Sequence, residues 1–402
     1  MKAAAGAMSV PVSKSTGMGT RLMSMRNSAP AAGAEISAVV FVAIEMSRSR
    51  WDIVVRTPVS DKLSRYCLVA GDGAALVAFV EDIKGRVARR LGQAVRVVSC
   101  YEAGYDGFWL DRLLCEHGIE NQVVDPSSIE VNRRARRAKT DRLDAEGLLR
   151  VLMRWWHGDK QACHMVRVPS LAEEDAKRPS RERQRLIKER VQHVNRIKGL
   201  LATQGIYGFR PLRRDREARL AALALPEQLR AELRREFARL TLVCEQIAAL
   251  EAARDAVLES EATAVDAAAA KIRKLARLKS IGPEFATVMV REVYYRDFAN
   301  RRQVGGYLGL DGSPWRSGRL AAEQGISKAG NPRARRAMIE AAWMWLRFQP
   351  GSALAQWFRE RVGDQKGRVR RIAVVALARK LAVALWHYLG HDLLPEGAIL
   401  KG

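Results

Sequence analysis

Short apolar runs rich in β-branched residues open the patterned part of this sequence. They cover residues 38–44 (AVVFVAI), 51–57 (WDIVVRT) and 65–70 (RYCLVA), and turn-forming residues separate them. Each run has the length of a strand, and short turns join neighbouring antiparallel strands. The pattern therefore predicts a meander of three strands.

Helical and strand patterns alternate over the next part of the chain. An amphipathic stretch at 74–91 precedes the apolar run AVRVVSCY at 94–101, and a second helical stretch at 107–117 precedes NQVVD at 121–125. Strands that alternate with helices of this length imply βαβ crossovers and therefore parallel pairing. The pattern predicts a three-layer α/β domain with a mixed sheet, which ends in a helix from about 141 to 156.

Runs of β-branched residues are absent between about 180 and 276, where apolar residues recur every three or four positions between charged ones. This spacing is typical of helices that bury one stripe of side chains. Pro211 and Pro226 bracket the break between two such stretches. The region is predicted to form an antiparallel helical hairpin or a coiled coil used for dimerisation. A helix packed on its own domain is the alternative.

The last third of the chain, from Leu278, changes composition again. LKSIGPEFATVMVREV at 278–293 places a Gly-Pro turn between two apolar helical pieces, as in a helix-hairpin-helix, whose turn amides can hold a DNA phosphate. Residues 307–338 are predicted to form a Gly- and Ser-rich loop region that runs into an Arg-rich helix. We expect a mostly helical C-terminal domain.

These changes of composition and residue pattern divide the chain into four predicted segments. They are a disordered basic tail at 1–36, an α/β domain at 37–160, a helical region at 161–276 and a C-terminal domain at 277–402. Because the tail lacks the apolar segment of a secretory signal, we expect it to be a disordered, weakly basic segment.

The charge of the chain points to a polyanionic partner. Lys and Arg total 69 against 44 Asp and Glu, a formal net charge of +25 over 402 residues. Such a surplus favours nucleic acid or an anionic membrane surface. Because no apolar run approaches the roughly 18–20 residues that span a bilayer, nucleic acid is favoured and no membrane is expected. The five cysteines lack CxxC spacing, which indicates reduced thiols in a cytoplasm.

Four carboxylates fall where a sheet-based metal site needs them. Glu45 ends the first strand, and Glu102 ends the fourth in SCYEAG. Asp141 and Asp144 lie one turn apart on one face of the following helix. Mg²⁺ takes hard oxygen ligands, and two-metal nucleases gather them from separate elements. Each residue also has an ordinary interpretation, since Asp141 suits a helix start beside a Thr140 N-cap and glutamates often end strands.

Three longer stretches carry a further signal. They are YEAGYDGFWLDRLL at 101–114, VVDPSSIEVNRRARRAKTDRLDAEGLL at 123–149 and SGRLAAEQGISKAGNPRARR at 317–336. Together they resemble the DEDD transposases of the insertion-sequence one-ten family, to which the pilin-gene invertases also belong, from about residue 39 to residue 388. The resemblance implies an α/β domain that is RuvC-like (RNase-H-like), a coiled-coil linker and a helical C-terminal transposase domain that together cut and join DNA.

The resemblance also implies which residues act. The serine of the family's SG motif falls on Ser317, with Ser313 and Ser327 as rivals, and in such enzymes it attacks a phosphodiester to link protein and DNA covalently. Members of this family use a structured RNA from the element to choose DNA and work as multimers, so we expect a guide RNA and a dimer or tetramer. The acidic tetrad, which would hold Mg²⁺ or Mn²⁺, falls on Glu45, Glu102, Asp141 and Asp144.

Basic residues beside these motifs are the predicted nucleic-acid contacts, since Arg and Lys neutralise phosphates. They are Arg133, Arg134, Arg136, Arg137, Lys139, Arg316, Arg319, Lys328, Arg333, Arg335 and Arg336. If about six such contacts form on duplex DNA, the logarithm of the binding constant should fall with the logarithm of salt at a slope of roughly −5.

One position departs from the family pattern. The first-strand motif generally carries Asp, whereas this chain has Glu45 in VAIEMS. The added methylene moves the carboxylate by roughly 1.5 Å, and such sites tolerate about 0.5 Å of slack. Asp52 is expected on a different strand and is a poor substitute. Two alternatives to a DNA transposase therefore stay open: a nucleic-acid-binding protein with impaired catalysis, and a resolvase-like nuclease that forms no covalent intermediate.

Overall fold

Two compact units make up the chain, and the boundary between them follows Val166. The computed structural model describes residues 38–129, 141–260, 266–317 and 320–401. The predicted α/β domain belongs to the first unit. The C-terminal region and all but the first residues of the predicted helical region belong to the second. The predicted basic tail lies outside the described residues.

A five-stranded sheet forms the centre of the first unit. Its strands are β1 (Ala38–Met46), β2 (Arg50–Arg56), β3 (Ser64–Val69), β4 (Val95–Glu102) and β5 (Glu120–Val124). They lie in the order β3-β2-β1-β4-β5. The first three pair antiparallel, whereas β4 lies parallel to β1 and β5 parallel to β4. The predicted meander and the mixed sheet with a parallel part are confirmed.

Helices cover both faces of this sheet. They are α1 (Gly73–Leu91), α2 (Trp109–Glu116) and α3 (Asp141–Trp156). Helix α3 packs on the face that carries Phe41 and Ala43. Side chains alternate between the faces of a strand, and on the other face Trp51 contacts Trp109 of α2 with ring centroids 5.9 Å apart. The first unit is therefore the three-layer arrangement that the alternating patterns predicted.

The second unit is mostly helical. Its elements are α4 (Leu171–Asp175), α5 (Arg178–Ala202), α6 (Arg216–Ala221), α7 (Glu227–Glu259), α8 (Ala267–Ala276), α9 (Pro283–Glu292), α10 (Arg301–Leu308), β6 (Gly312–Ser317), β7 (Leu320–Ile326), α11 (Pro332–Phe348), α12 (Ala353–Val362) and α13 (Arg368–His391). Leucine, alanine and aromatic side chains from α8 to α13 share one core.

Helices α5 and α7 form an antiparallel hairpin within the chain. Arg183 near the start of α5 pairs with Glu251 near the end of α7, at 2.5 Å, whereas Arg196 pairs with Glu232, at 2.6 Å. The pairing of early with late residues fixes the antiparallel direction. Apolar side chains such as Leu240 are fully buried between the two helices. The predicted hairpin is confirmed, and its use for dimerisation stays a prediction.

Helix α13 is the one described helix that is long and apolar enough in composition to cross a bilayer. Its residues Leu377, Leu381 and Leu385 are fully buried in the core of the second unit. Core helices of this length and composition are common, so the helix is weak evidence for a membrane span.

A two-stranded sheet replaces the loop region that was predicted at 307–338. Strands β6 and β7 pair antiparallel, and their register runs from Gly312 opposite Ile326 to Ser317 opposite Leu320. The prediction of loop was wrong for these residues, because the Gly, Ser and Pro residues that suggested it also occur in short hairpins.

The predicted helix-hairpin-helix corresponds to α8 and α9. Gly282 and Pro283 start α9 as the sequence indicated. However, Glu284 in the first turn of α9 accepts hydrogen bonds from Ser180, at 2.8 Å, and Arg254, at 3.1 Å. These bonds place protein groups from α5 and α7 at the N-terminal end of α9, where the prediction had a DNA phosphate.

All five cysteines are free thiols. Cys100 and Cys163 are buried between the sheet and α3. Burial raises the pKa of Cys100 well above its usual range and that of Cys163 to about 11. Both thiols are therefore protonated at neutral pH and serve as apolar packing groups.

Candidate active site

Two glutamates lie at the carboxyl ends of neighbouring parallel strands: Glu45 is the penultimate residue of β1 and Glu102 is the last residue of β4. The register pairs Ile44 of β1 with Tyr101 of β4, and Glu45 and Glu102 are the next residues of the two strands. Both glutamate side chains are half-buried. Because the carboxyl ends of parallel strands share one edge, the two carboxylates lie side by side there.

The alternation of side chains puts both glutamates on the face that α3 covers. Phe41 and Ala43 of β1 pack against α3, and Glu45 follows in the same alternation. On β4, Cys100 packs against α3 and Glu102 follows it in the same way. Both glutamates therefore lie on the α3 side of the sheet, just beyond the buried side chains that pack against the helix.

Helix α3 runs antiparallel to β1 and β4. Its last residue, Trp156, contacts Phe41 with ring centroids 6.3 Å apart and lies 5.2 Å from the guanidinium of Arg96 near the start of β4. Eight residues earlier, the carbonyl of Leu148 accepts from the thiol of Cys100 at 3.9 Å. The start of α3 therefore points toward the end of β4.

The rise of the helix brings Asp144 to the level of Glu102. From Leu148 to Asp144 a helix rises about 6 Å, and from Cys100 to Glu102 a strand advances about 6.6 Å. Asp144 is half-buried, and its neighbour Ala145 is fully buried against the sheet. Asp141 begins the same helix one turn earlier, and its side chain lies outside what the structure describes.

A salt bridge fixes the first turns of α3 over the sheet. Arg65 of β3 donates to Glu146 from Nε, at 2.8 Å, and from Nη2, at 2.6 Å. Glu146 is only 14% exposed. This contact anchors the start of α3, and with it Asp144, against the strands that carry the acidic residues.

Asp52 is a further carboxylate at this edge, which the sequence had discounted. It lies on β2, a different strand as expected, but the register places it directly opposite Glu45. Directly opposed residues of an antiparallel pair point to the same face with Cβ atoms about 5 Å apart. Asp52 accepts a hydrogen bond from Nε of Arg50 at 3.2 Å. The position of Asp52 beside Glu45 follows from the register of β1 and β2, which local sequence patterns do not show.

We name the residues Glu45, Glu102, Asp141 and Asp144 the acidic edge. Carboxylate oxygens are the ligands that Mg²⁺ and Mn²⁺ prefer, so the donor set fits a divalent cation in its chemistry. Like charges side by side on a sheet repel, and a cation between them would relieve that repulsion. Glu45, Glu102 and Asp144 are all among the described side chains, yet no three acidic, His or Cys groups of the described part converge closely enough to hold an ion. The side chain of Asp141 lies outside the described part.

Ser317 ends β6 in the second unit, where it pairs with Leu320 across the tip of the β6–β7 hairpin. We name this element the serine hairpin. The two rival serines lie nearer its base. Ser313 is the second residue of β6, and Ser327 follows β7, where its backbone amide donates to Asp311 at 2.8 Å.

The SKAGN segment, residues 327–331, holds the serine hairpin to the end of α10. The amide of Lys328 donates to the carbonyl of Gly309 at 3.2 Å, and that of Asn331 donates to Tyr307 at 2.9 Å. Gly330 has a φ of +76°, and a Cβ at this position would overlap the carbonyl oxygen of Tyr307. The two backbone segments can therefore approach so closely only when residue 330 is glycine.

Asn331 and Arg333 tie the same segment to Glu292, the last residue of α9. The Asn331 amide donates to Glu292 at 3.2 Å, and the Arg333 guanidinium donates to it at 3.0 Å. Arg181 of α5 adds two further bonds, at 2.7 Å and 2.9 Å. Burial raises the pKa of Glu292, but the bonds and charges of Arg181 and Arg333 outweigh burial, so the pKa lies below the ordinary value. Glu292 is therefore ionised at the centre of this network.

The structure separates the predicted nucleic-acid contacts into groups. Lys328 and Arg336 are exposed. Arg333 is only 16% exposed and also donates to Ser180 and Gln184, and Arg335 donates to the carbonyls of Leu308 and Ala329, so both have structural partners. The remaining predicted contacts lie outside the described residues or side chains; they are Arg133, Arg134, Arg136, Arg137, Lys139, Arg316 and Arg319.

Comparison with known proteins identifies the family of the chain. Residues 43–205 match the family model of DEDD-type IS110 transposases, and residues 272–357 match the family described as "Transposase IS116/IS110/IS902 family". The chain is 46% identical over 374 residues to a Sinorhizobium fredii protein named "Putative transposase y4rJ", an alignment that covers 90% of this chain and 94% of that protein. It is 26% identical to the "Transposase for insertion sequence element IS1111A" of Coxiella burnetii, with 67% of this chain and 71% of the relative covered. The chain therefore belongs to the IS110 family of insertion-sequence transposases, which are enzymes that act on DNA.

Proposed function

We propose that this transposase cuts and joins DNA with a divalent-metal site at the acidic edge and with Ser317 as the nucleophile. One observation supports the proposal most: α3 runs antiparallel to β4, which brings Asp144 to the level of Glu102. We also infer that the first unit is RNase-H-like. The strand order β3-β2-β1-β4-β5 supports that inference, as does the direction of β2, which runs opposite to the other four strands.

Glu45, Glu102, Asp141 and Asp144 would hold Mg²⁺ or Mn²⁺. When bound, such an ion withdraws charge from phosphate oxygens and lowers the pKa of a coordinated hydroxyl. The carboxylates orient the site, because β1, β4 and the salt bridge from Arg65 to Glu146 fix their backbones. Asp52 adds negative charge beside Glu45 and so strengthens the attraction for a cation.

Ser317 would supply the covalent step. Its Oγ attacks the phosphorus of a phosphodiester, an Oγ–P bond forms, and the bond from phosphorus to a deoxyribose oxygen breaks. The hydroxyl proton passes to a general base, and the leaving oxygen takes up a proton. A second strand's hydroxyl then attacks the same phosphorus, which releases the serine and joins the DNA.

Exposed basic groups would hold the nucleic acid during these steps. Lys328 belongs to the segment that supports the serine hairpin, Arg336 follows that segment, and both side chains are exposed. The run from Arg133 to Lys139 immediately precedes α3 in the sequence and would contact phosphates near the acidic edge. A structured guide RNA and assembly as a dimer or tetramer remain part of this proposal.

Trapping of the covalent intermediate tests the proposal. Full-length protein is incubated with labelled element-end DNA and Mg²⁺, and adducts are separated by denaturing electrophoresis. We expect Ser317→Ala to abolish the adduct and Asp144→Asn to reduce it at least about 100-fold. Ser313→Ala and Asp106→Asn are the matched controls and should keep the adduct. An adduct of normal yield in Ser317→Ala would disprove the role of the serine.

A further inference from the structure

A basic cavity lies in the second unit, and none of its lining residues is among the predicted nucleic-acid contacts. It has a volume of about 500 Å³ and opens between α10, α12 and α13. Its walls are formed by Arg301, Arg302, Leu354, Arg379, Lys380, Val383, Ala384 and His387. Cavities of roughly 300–1,000 Å³ are the usual size for sites that bind small organic groups.

The cavity has two chemical zones. Leu354, Val383 and Ala384 make an apolar floor and are half-buried. Arg301, Arg302 and Lys380 stand at the rim and are exposed. Among the described residues none of these three cations takes part in an ion pair, whereas Arg379 pairs with Asp311 at 2.8 Å. The rim therefore carries positive charge that no carboxylate of the described residues neutralises.

An aromatic side chain outside the lining contacts one of the rim cations. The ammonium of Lys380 lies 4.7 Å from the centre of the Trp357 ring, which holds the lysine beside the cavity. Proteins that bind single strands combine cations that contact phosphates with side-chain surfaces that cover bases; those surfaces are most often aromatic, whereas here they are aliphatic. A purely anionic ligand would not use the apolar floor, and a purely apolar ligand would not use the rim.

We propose that this cavity binds one unpaired nucleotide of a single-stranded polynucleotide, with the base on the apolar floor and the flanking phosphates on Arg301, Arg302 and Lys380. The cavity also connects to the serine hairpin, because Arg379 in its wall pairs with Asp311, the residue before β6. The six residues of β6 then span about 20 Å to Ser317. A strand anchored in the cavity would thus be held at the base of the element that carries the nucleophile.

This inference rests on the proposed function only in that the protein handles nucleic acid, and its test contains no cleavage step. Binding of full-length protein to labelled 15-nucleotide oligothymidylate, oligouridylate and a DNA duplex is measured by fluorescence anisotropy. The DNA and RNA strands distinguish the two sources of an unpaired nucleotide. Loss of the covalent adduct in Ser317→Ala leaves these affinities unchanged, so the two proposals can fail separately.

Two variants separate the floor from the rim. Ala384→Trp fills the floor and should weaken single-strand binding about tenfold, because the base loses the space in which it lies, while duplex binding stays within about twofold. Arg302→Glu should weaken binding to the single strands and reduce the salt slope by about one or more. Arg359→Glu on α12 makes the same charge change outside the cavity and should leave single-strand binding within about twofold of wild type.

Three results would overturn the proposed nucleotide site. Unchanged single-strand affinity in a folded Ala384→Trp protein, or an equal loss for single strand and duplex, contradicts a nucleotide site. Ala384→Leu replaces the tryptophan variant if the latter melts early by circular dichroism. Displacement of the oligonucleotide by polyglutamate of equal charge would show that the cavity takes any polyanion, including an acidic protein segment, and would also overturn the proposal.

Discussion

The acidic edge of the first unit and the serine hairpin of the second are built in different ways. Strand alternation and the rise of one helix position the carboxylates, so repeating backbone geometry sets their places. By contrast, the serine hairpin depends on single close contacts, in which Gly330 crosses Tyr307 and Asn331 reaches Glu292. A site on regular elements tolerates sequence change along those elements, whereas a site on a hairpin depends on a few residues that no repeat supports.

The largest effect is expected where the hairpin depends on glycine. Gly330→Ala should lower the free energy of unfolding by about 4 kcal/mol, since it combines a positive φ with an overlap against the Tyr307 carbonyl. Gly325→Ala, with a φ of +92° and no neighbour within 4 Å, should cost about 1–2 kcal/mol. Gly312→Ala has neither feature and should change stability by less than about 0.5 kcal/mol. Urea denaturation measures all three, and equal effects at 330 and 325 would remove the close crossing from the account.

A smaller effect is expected from the charge network behind the hairpin. Glu292→Gln removes the carboxylate shared by Arg181 and Arg333 and leaves the largely buried Arg333 only the more distant Glu284, at 3.7 Å, so it should lower the free energy of unfolding by about 3 kcal/mol at pH 7. Glu340→Gln, on the exposed side of α11, is the control and should have little effect.

The ion pairs of Glu292 also predict how the stability of the protein depends on pH. Because the pKa of Glu292 is depressed in the folded protein, its contribution to stability is complete above the unfolded value of about 4.3 and is lost as pH falls through the folded value. Glu292→Gln should therefore flatten the loss of stability on acidification below about pH 4.3. Denaturation curves at several pH values measure this, and an unchanged slope would show that Glu292 is not ionised in the network.

The smallest effect concerns the acidic edge itself. Glu45→Asp restores the family's usual side chain and should raise metal-dependent DNA cleavage, by up to about tenfold, if the longer carboxylate sits off its best position. Glu120→Asp at the start of β5 shortens a glutamate that pairs with Arg96 and is the control. A fall in activity for Glu45→Asp would show instead that this backbone has adapted to glutamate.

The sequence predicted the features that local repeats determine. The strands of the first unit, the start of α3 at Asp141 and the α5–α7 hairpin all follow from periodicity, and the structure confirms them. Glu45 and Glu102 could be placed at strand ends for the same reason. Their common position on the face that α3 covers follows from the register of β1 and β4, which the sequence alone does not determine.

Features that depend on distant residues were missed. Asp52 became a neighbour of Glu45 only through strand pairing. Arg333 was expected on the DNA surface because it lies in a basic run, but its partner Glu292 is 41 residues away in the sequence. The β6–β7 hairpin was not predicted, because its Gly, Ser and Pro residues are typical of loops as well as of hairpins, and only the pairing of the two strands distinguishes them.

Titration of Mn²⁺ into the full-length protein, followed by calorimetry, tests the acidic edge most directly because it needs neither DNA nor turnover. We expect Asp144→Asn and Glu102→Gln each to weaken Mn²⁺ binding at least about tenfold, whereas Asp106→Asn should leave it unchanged. Equal Mn²⁺ affinity in the wild type and in both edge variants would contradict a metal site at the acidic edge.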